Sequence, residues 1–241
     1  MKSKEDVSRR LFLKKAMVLS AAAAAAPSIL SAATGSLSPL LAKPNERVNL
    51  ACCGIGNRGG EIIQALYNTG LANLVAFCDV DMEAPHTLKT LQQFPDVPRF
   101  KDFREMFDKM GNKIEAVSVG VPDFSHFPIV MEAMGRGIHV YVEKPMARTF
   151  TECELLMKAA NKYPNVVTQM GNQGHSDANY FQFKAWVEAG IIKDVTAITA
   201  HMNSPRRWHG WDTGITALPP AEPIPNTLDW DKWLTTRPFH P

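Results

Sequence analysis

Val48-Asn49-Leu50-Ala51-Cys52-Cys53-Gly54-Ile55-Gly56-Asn57-Arg58-Gly59 decides how this chain folds. A short apolar run, read as a buried strand over Val48 to Cys53, passes directly into a Gly-x-Gly-x-x-Gly turn. A helical pattern follows from about Gly60 to Asn68, with Ile62, Ile63, Ala65 and Leu66 on its apolar face. Strand, glycine turn and helix together present free backbone N–H groups and the positive end of a helix dipole to a phosphate. Leu74 to Cys78 reads as a second strand, and Asp79 ends it, about 20 residues beyond the turn. Gly54 permits the tight turn, Gly56 lets the backbone approach a pyrophosphate, and Gly59 lets the helix pack close to the sheet. Asn57 and Arg58 lie in the same turn. Asp79 is expected to accept hydrogen bonds from the adenosine ribose hydroxyls, and its charge repels a 2′-phosphate. NAD is therefore expected over NADP, although Arg58 is a nearby guanidinium that could hold a phosphate. A structural glycine turn with Asp79 as a loop cap is the alternative.

The same alternation continues outward. Asp102 with Glu105 is a capping pair opening a helix that carries Phe103, Met106 and Phe107. Ile114 to Val121 is a strand, Phe127 to Met134 a helix broken by Gly135 and Gly137, and Ile138 to Val142 a strand. Thr149 with Glu152 is a capping box starting a helix to about Lys162, and Val166 to Gln169 is a further strand. Short apolar strands between amphipathic helices imply a parallel sheet covered on both faces, the doubly wound α/β fold. After Gln169 the character changes. Gly171 to His175 is loop-like, and Asn179 to Glu188 is helical and ends at Gly190. Asp194 to Met202 reads as one strand of a different sheet, and prolines, glycines and tryptophans dominate beyond Ser204. The expected division is residues 1–45 as export signal and linker, 46–168 as the dinucleotide domain, and 169–241 as the start of a second, incomplete α/β domain with an open sheet.

The 241 residues suit one large or two modest domains. Net charge is +2, and much of the excess lies in the first fifteen residues. No basic stripe with interleaved aromatics is present, so nucleic acid is not expected as a partner. The four cysteines, Cys52, Cys53, Cys78 and Cys153, lack metal-ligand spacing. No metal is expected, and buried inert thiols are favoured over a disulfide framework. Cys52 and Cys53 are adjacent and should point to opposite faces of one strand. Ser8-Arg9-Arg10-Leu11-Phe12-Leu13-Lys14 before the alanine-rich stretch Ala16 to Ala26 resembles a bacterial twin-arginine export signal. Recognition by that export machinery and a periplasmic destination are expected, with cleavage between about Ala32 and Ala42. Such export moves folded proteins, often with cofactor bound. A basic amphipathic helix or a membrane anchor is the alternative, opposed by the weak apolarity and by Pro27.

Glu143-Lys144-Pro145 closes the strand ending at Val142. A lysine at the carboxyl end of a strand lies where open α/β sheets bind ligands. Together with the glycine turn, Cys78-Asp79-Val80-Asp81 and Pro122-Asp123-x-x-His126, it resembles the Gfo/Idh/MocA family. The resemblance covers about Arg47 to the end and is not specific to a substrate. It implies a Rossmann domain followed by an α/β domain whose open sheet covers the active site, and oxidation or reduction of sugars, polyols and their acids with NAD(P). It implies that Lys144 contacts substrate and cofactor and that the Lys144–Pro145 bond is cis. Lys144, partly desolvated beside a positive nicotinamide, should have a lowered pKa, so that it relays the hydroxyl proton or stabilises an oxyanion. An ordinary Glu143–Lys144 surface ion pair is the alternative. Pro122, Asp123, His126 and Glu143 are expected beside the cofactor, with His126 stacking on the dinucleotide, capping the next helix, or lying partly buried in its loop. Gln169 is expected near the nicotinamide amide or the substrate. Asn172 and Gln173 are weaker candidates. His175, Arg206, Arg207, Trp208 and His209 could line a sugar pocket or be surface and packing residues.

Family members carry a further Asp followed four residues later by His, the histidine commonly acting as acid/base. That pair is not found here; Asp212, Asp229 and Asp231 lack it. Leu228-Asp229-Trp230-Asp231-Lys232-Trp233-Leu234 resembles the stretch that precedes it. A fragment with an intact cofactor domain is expected, and a homo-oligomer that exchanges a strand could complete it in part. Three activities follow: an NAD-dependent oxidoreductase acting on a sugar or polyol, a glycoside hydrolase using NAD for transient oxidation, or dinucleotide binding without turnover.

Overall fold

A computed structural model describes residues 47–201 and 220–239. The stretch expected to be export signal and linker, and Arg206 to Asp212, lie outside the described residues. The chain divides into two compact units, residues 48–67 with 72–241, and residues 1–47 with 68–71. The larger unit holds the sheet.

Its elements are β1 (Val48–Cys53), α1 (Asn57–Asn68), β2 (Ala72–Cys78), α2 (Pro85–Gln93), β3 (Arg99–Phe100), α3 (Phe103–Met110), β4 (Ala116–Val119), α4 (His126–Gly135), β5 (His139–Glu143), α5 (Phe150–Lys162) and β6 (Thr168–Gly171). α6 (Ala178–Glu188) and the short α7 (Trp230–Leu234) follow. The six strands lie in the order β3-β2-β1-β4-β5-β6. Every pairing is parallel. The order reverses between β1 and β4, which opens a crevice at their carboxyl ends.

The alternation of β1 builds two cores. Ala51 and Cys53 join Val117, Val119, Val140 and Val142 under α3, α4 and α5. Leu50 and Cys52 face the other way, with Phe77, Ile63 of α1 and Leu91 of α2. Cys52 and Cys53 thus point to opposite faces, as the adjacency predicts. Cys52, Cys53 and Cys78 are buried free thiols. Burial pushes the Cys52 thiol up to about 12, so it is inert as a nucleophile near neutral pH.

Several boundaries shift for visible reasons. β4 starts later than expected because Ile114 N–H closes a 3₁₀ turn on Gly111 C=O. β6 starts later because Val166 N–H bonds Tyr163 C=O, and Val167 N–H donates to His139 Nδ1 at 3.1 Å. The Thr149–Glu152 capping box forms in full. The Asp102–Glu105 pair does not: Asp102 caps α3 by accepting from Arg104 N–H, while Glu105 pairs with Lys109. Asp194 to His201 form no strand, and Ile198 is 87% exposed; an isolated segment with no sheet partner gains nothing from extending. Sequence patterning also missed α2, which Ala84 precedes without a side-chain cap, the two-residue β3, and α7.

Candidate functional site

Two backbone hydrogen bonds fasten the end of β1 to the ends of β2 and β4 beneath the glycine turn. Gly54 N–H donates to Cys78 C=O at 2.8 Å, and Gly120 N–H to Cys53 C=O at 2.8 Å. Gly54 has φ +79, and a β-carbon there would lie 2.6 Å from the Gly120 carbonyl. A β-carbon on Gly59 would lie 2.1 Å from Gly54 O. Turn, helix start and β4 end therefore touch backbone to backbone, which only glycine permits. Asn57 opens α1 at φ +43, a left-handed conformation that asparagine tolerates better than most residues. No acidic residue of α1 stands in its own first turn, where the positive end of the helix dipole lies. This geometry fits a dinucleotide pyrophosphate.

Asp79 is fixed against the turn. Its Oδ2 accepts from Ile55 N–H at 3.0 Å and its Oδ1 from Asp81 N–H at 3.1 Å. Burial raises its pKa above the ordinary aspartate range; the two backbone N–H groups and His86 oppose that rise, and Asp81 adds to it. Each oxygen keeps acceptor capacity for a ribose hydroxyl.

Gly54, Gly56, Asn57, Arg58, Asp79 and Pro122 line one cavity of about 430 Å³. Sequence reasoning missed His86, whose ring occupies the space a Gly56 β-carbon would take, 2.1 Å from that position. It also missed Lys101 and Arg104 on the same cleft, and Leu228, Lys232, Trp233 and Thr235, which reach it from far along the chain. Leu228, Lys232 and Trp233 lie in the stretch noted for its family resemblance, but nothing in that stretch points to the cleft.

The other expected residues sit apart from that cavity. Gly59 lies beneath the turn. Asp123 is exposed in a 3₁₀ turn. His126 is 1% exposed, with Nδ1 2.6 Å from Pro145 O and Nε2 2.9 Å from Val121 O. It neither caps α4 nor turns a ring face to the cleft. Its two ring nitrogens face carbonyls of the β4 end and of the Pro145 turn, so one ring bridges those two segments. Glu143 is 5% exposed, and Arg58 donates to its Oε1 from Nε at 3.0 Å and from Nη2 at 2.9 Å. Its Oε2 accepts from Lys144 N–H at 3.2 Å. Arg58 also donates from Nη1 to Glu61 at 2.8 Å. The guanidinium that could have held a phosphate is already engaged by two carboxylates, and the partner of Glu143 is Arg58 rather than the Lys144 amine.

Lys144 is exposed, and its bond to Pro145 is cis. No described element covers its amine. Gln169 is exposed on β6, its amide donates to Met170 C=O at 2.7 Å, and it lines a separate groove with Tyr141, Asn172 and His175. Arg58 borders both spaces. Tyr141 was missed, although strand alternation places it on the face of Glu143. Burial pushes its hydroxyl up, with Glu143 adding to the effect. Among the described residues no group of three His, Cys, Asp or Glu could hold a metal, and no helix is long and apolar enough to cross a membrane.

The strand order, the glycine turn and the acid at the end of β2 define a dinucleotide-binding domain of the Rossmann type. A family model described as the oxidoreductase family with an NAD-binding Rossmann fold matches residues 48–170, and the chain belongs to this Gfo/Idh/MocA family. NAD is the cofactor of that fold. Glycosyl hydrolase family 109 protein 1 of Shewanella sp. (strain ANA-3) is 28% identical over 184 residues, covering 69% of this chain and 40% of the relative. Inositol 2-dehydrogenase of Salmonella typhimurium is 27% identical over 141 residues, 58% of this chain and 41% of the relative. Among solved structures, scyllo-inositol dehydrogenase from Lactobacillus casei with bound NAD(H) and scyllo-inositol superposes with a TM-score of 0.55 at 25% identity, covering 62% of this chain and 43% of that one. The chain thus spans about 40% of the length of the curated relatives it matches.

Proposed function

We propose that this chain binds NAD across the glycine turn and serves hydride transfer between that cofactor and a sugar or polyol, with Lys144 as the group that handles the hydroxyl proton. The observation that carries the reading is the Arg58–Glu143 pair, which joins the pyrophosphate turn to the strand end bearing Lys144. Bound NAD supplies the hydride acceptor. The turn and α1 hold the pyrophosphate, Asp79 orients the ribose, and Lys144 Nζ takes the proton as the carbinol becomes a carbonyl. Formation of NADH from NAD with a panel of sugars and cyclitols, and its absence in Lys144→Ala, tests the reading. Retained turnover in that variant would sink the assigned role.

A second reading has support of its own: relatives at 28% identity are named glycosyl hydrolase family 109 proteins, one of them an alpha-N-acetylgalactosaminidase of Shewanella oneidensis. There the same oxidation would be transient and reversed after the glycosidic bond breaks. Release of the aglycone without net NADH selects it over the first. The boundary at 45/46, assembly with a second copy, and periplasmic export through Ser8-Arg9-Arg10 belong to the same proposal; β6 runs to Gly171, so the sheet extends past the expected 168/169 division. Export is tested by Arg9→Lys with Arg10→Lys, which should leave the protein in the cytoplasmic fraction.

A further inference from the structure

The cleft that begins at the glycine turn does not end at Asp79. It continues past Asp81, Lys101 and Phe103 and is closed on the outside by residues from the far end of the chain. Pro220 to Asn226 are exposed, whereas Thr227 to Thr235, except Asp231, are half-buried or buried. That stretch is fastened at four points. Asp229 N–H donates to Val80 C=O at 3.0 Å. Thr227 Oγ1 donates to Asp81 Oδ2 at 3.1 Å, and Lys101 Nζ donates to Thr227 C=O at 3.3 Å. Thr235 Oγ1 lies 3.4 Å from Ser125 Oγ. The ring of Trp233, which borders the cleft, is braced on two sides: by Trp230, stacked at 4.7 Å and 12°, and by Phe124, edge-on at 4.9 Å. Thr235, which ends α7, has φ +51, a conformation that a β-branched residue adopts only when its surroundings impose it.

We propose that residues 227–235 are the outer wall of the adenosine half of the cofactor cleft, with Trp233 and Leu228 as the apolar surface against which the adenine packs. The inference rests on the NAD reading above. Asp79 fixes where the adenosine ribose lies, and the space beyond it is the place for a flat aromatic group. A braced indole suits that group, because stacking on a side chain already immobilised costs little further entropy. The attachment to Val80 and Asp81, the residues directly after Asp79, links the wall to the strand end that reads the ribose. Occupancy of the cleft and order in 227–235 should therefore be coupled.

The test is binding of NAD and of its two halves to the 241-residue chain. Trp233→Ala should weaken NAD and adenosine monophosphate by a common factor, roughly tenfold to a hundredfold for a lost base stack. Nicotinamide mononucleotide should bind unchanged. Thr227→Val keeps the ring and removes one fastening, and should weaken the same two ligands by a smaller factor. Adenosine monophosphate should quench tryptophan fluorescence in the unchanged chain and quench it less in Trp233→Ala. Equal affinities of the unchanged and Trp233→Ala chains for adenosine monophosphate overturn this inference and leave the NAD reading intact. Equal losses for both halves of the dinucleotide also overturn it, since a wall at the adenosine end cannot act on the other half. No binding of NAD or adenosine monophosphate by the unchanged chain overturns both readings.

Discussion

Two ends of one strand-end rim are built in different ways. Around Asp79 the chain closes on itself: the carboxylate is clamped by two backbone N–H groups, the glycines touch backbone to backbone, and residues from beyond position 226 form a roof. Around Lys144 and Gln169 no described residue closes over the site, and both side chains are exposed, one just past β5 and the other on β6 of the same sheet. Binding a dinucleotide needs a pre-formed cradle, and the described residues around Asp79 form one. Chemistry on a carbinol needs the reacting groups shielded from water, which no described residue of this chain provides at Lys144.

The strongest way to break this contrast is through the lysine. Lys144→Ala should reduce hydride transfer by about 10²–10⁴, the usual worth of a positioned proton-transfer group. It should leave NAD affinity and thermal midpoint within error, since an exposed side chain contributes less than about 0.5 kcal/mol to stability. A joint loss of NAD affinity and turnover would show that the open end also holds cofactor.

Gly59→Ala attacks the closed end. The added methyl would sit 2.1 Å from Gly54 O, against backbone that has nowhere to move. We expect about 3 kcal/mol of destabilisation, a thermal midpoint lower by roughly 10 °C, and loss of NAD binding in the fraction still folded. Thermal melts with and without NAD measure both parts. An unaltered midpoint would contradict the packing described for the turn.

Asp79→Asn has a smaller, pH-dependent effect. Burial holds the Asp79 carboxyl above the ordinary range, so the folded chain binds that proton more tightly than the unfolded chain does. The corresponding stability is present below the unfolded value and is lost as pH rises through the raised folded value. Ribose hydroxyls favour the ionised form, so NAD affinity should rise over the same interval. An amide in place of the carboxyl does not titrate, so the variant should flatten both dependences. It should also weaken NAD about tenfold, near 1.4 kcal/mol, and narrow its advantage over NADP. Isothermal titration across that interval in both proteins is the check.

The closed end was largely legible in the sequence, because its physics is local. A strand, three glycines and an acid at fixed spacing can be read from Gly54 to Asp79 without knowing anything distant. The Thr149–Glu152 cap was legible for the same reason. The roof was not: Thr227 meets Asp81 across 146 positions, and a long-range contact of that kind leaves no periodic signature. His126 shows a further limit. Its place in the Pro122 motif was visible, but its partners are carbonyls, and any residue can offer a carbonyl. The open end misled through the opposite error. The stretch from Asp194 to Met202 suggested a strand, yet local apolarity does not supply a sheet partner, and Asp194 to His201 pair with no described strand.

α6 shows the same point at the level of energy. Tyr180, Phe181, Phe183 and Trp186 lie on one helix, and every residue of that helix is exposed, with Phe183 at 53%. Leu234 on the shorter α7 is 7% exposed. The hydrophobic effect scales with area removed from water, not with the apolarity of the residue. Leu234→Ala should therefore cost about 2 kcal/mol and loosen the adenosine wall with it. Phe183→Lys removes a larger side chain and should change the stability of the chain by less than about 0.5 kcal/mol. Chemical denaturation of the two variants side by side makes the comparison. A cost for Phe183→Lys equal to that for Leu234→Ala would mean that α6 is buried in solution, and the contrast between the closed and open ends of this molecule would have to be redrawn.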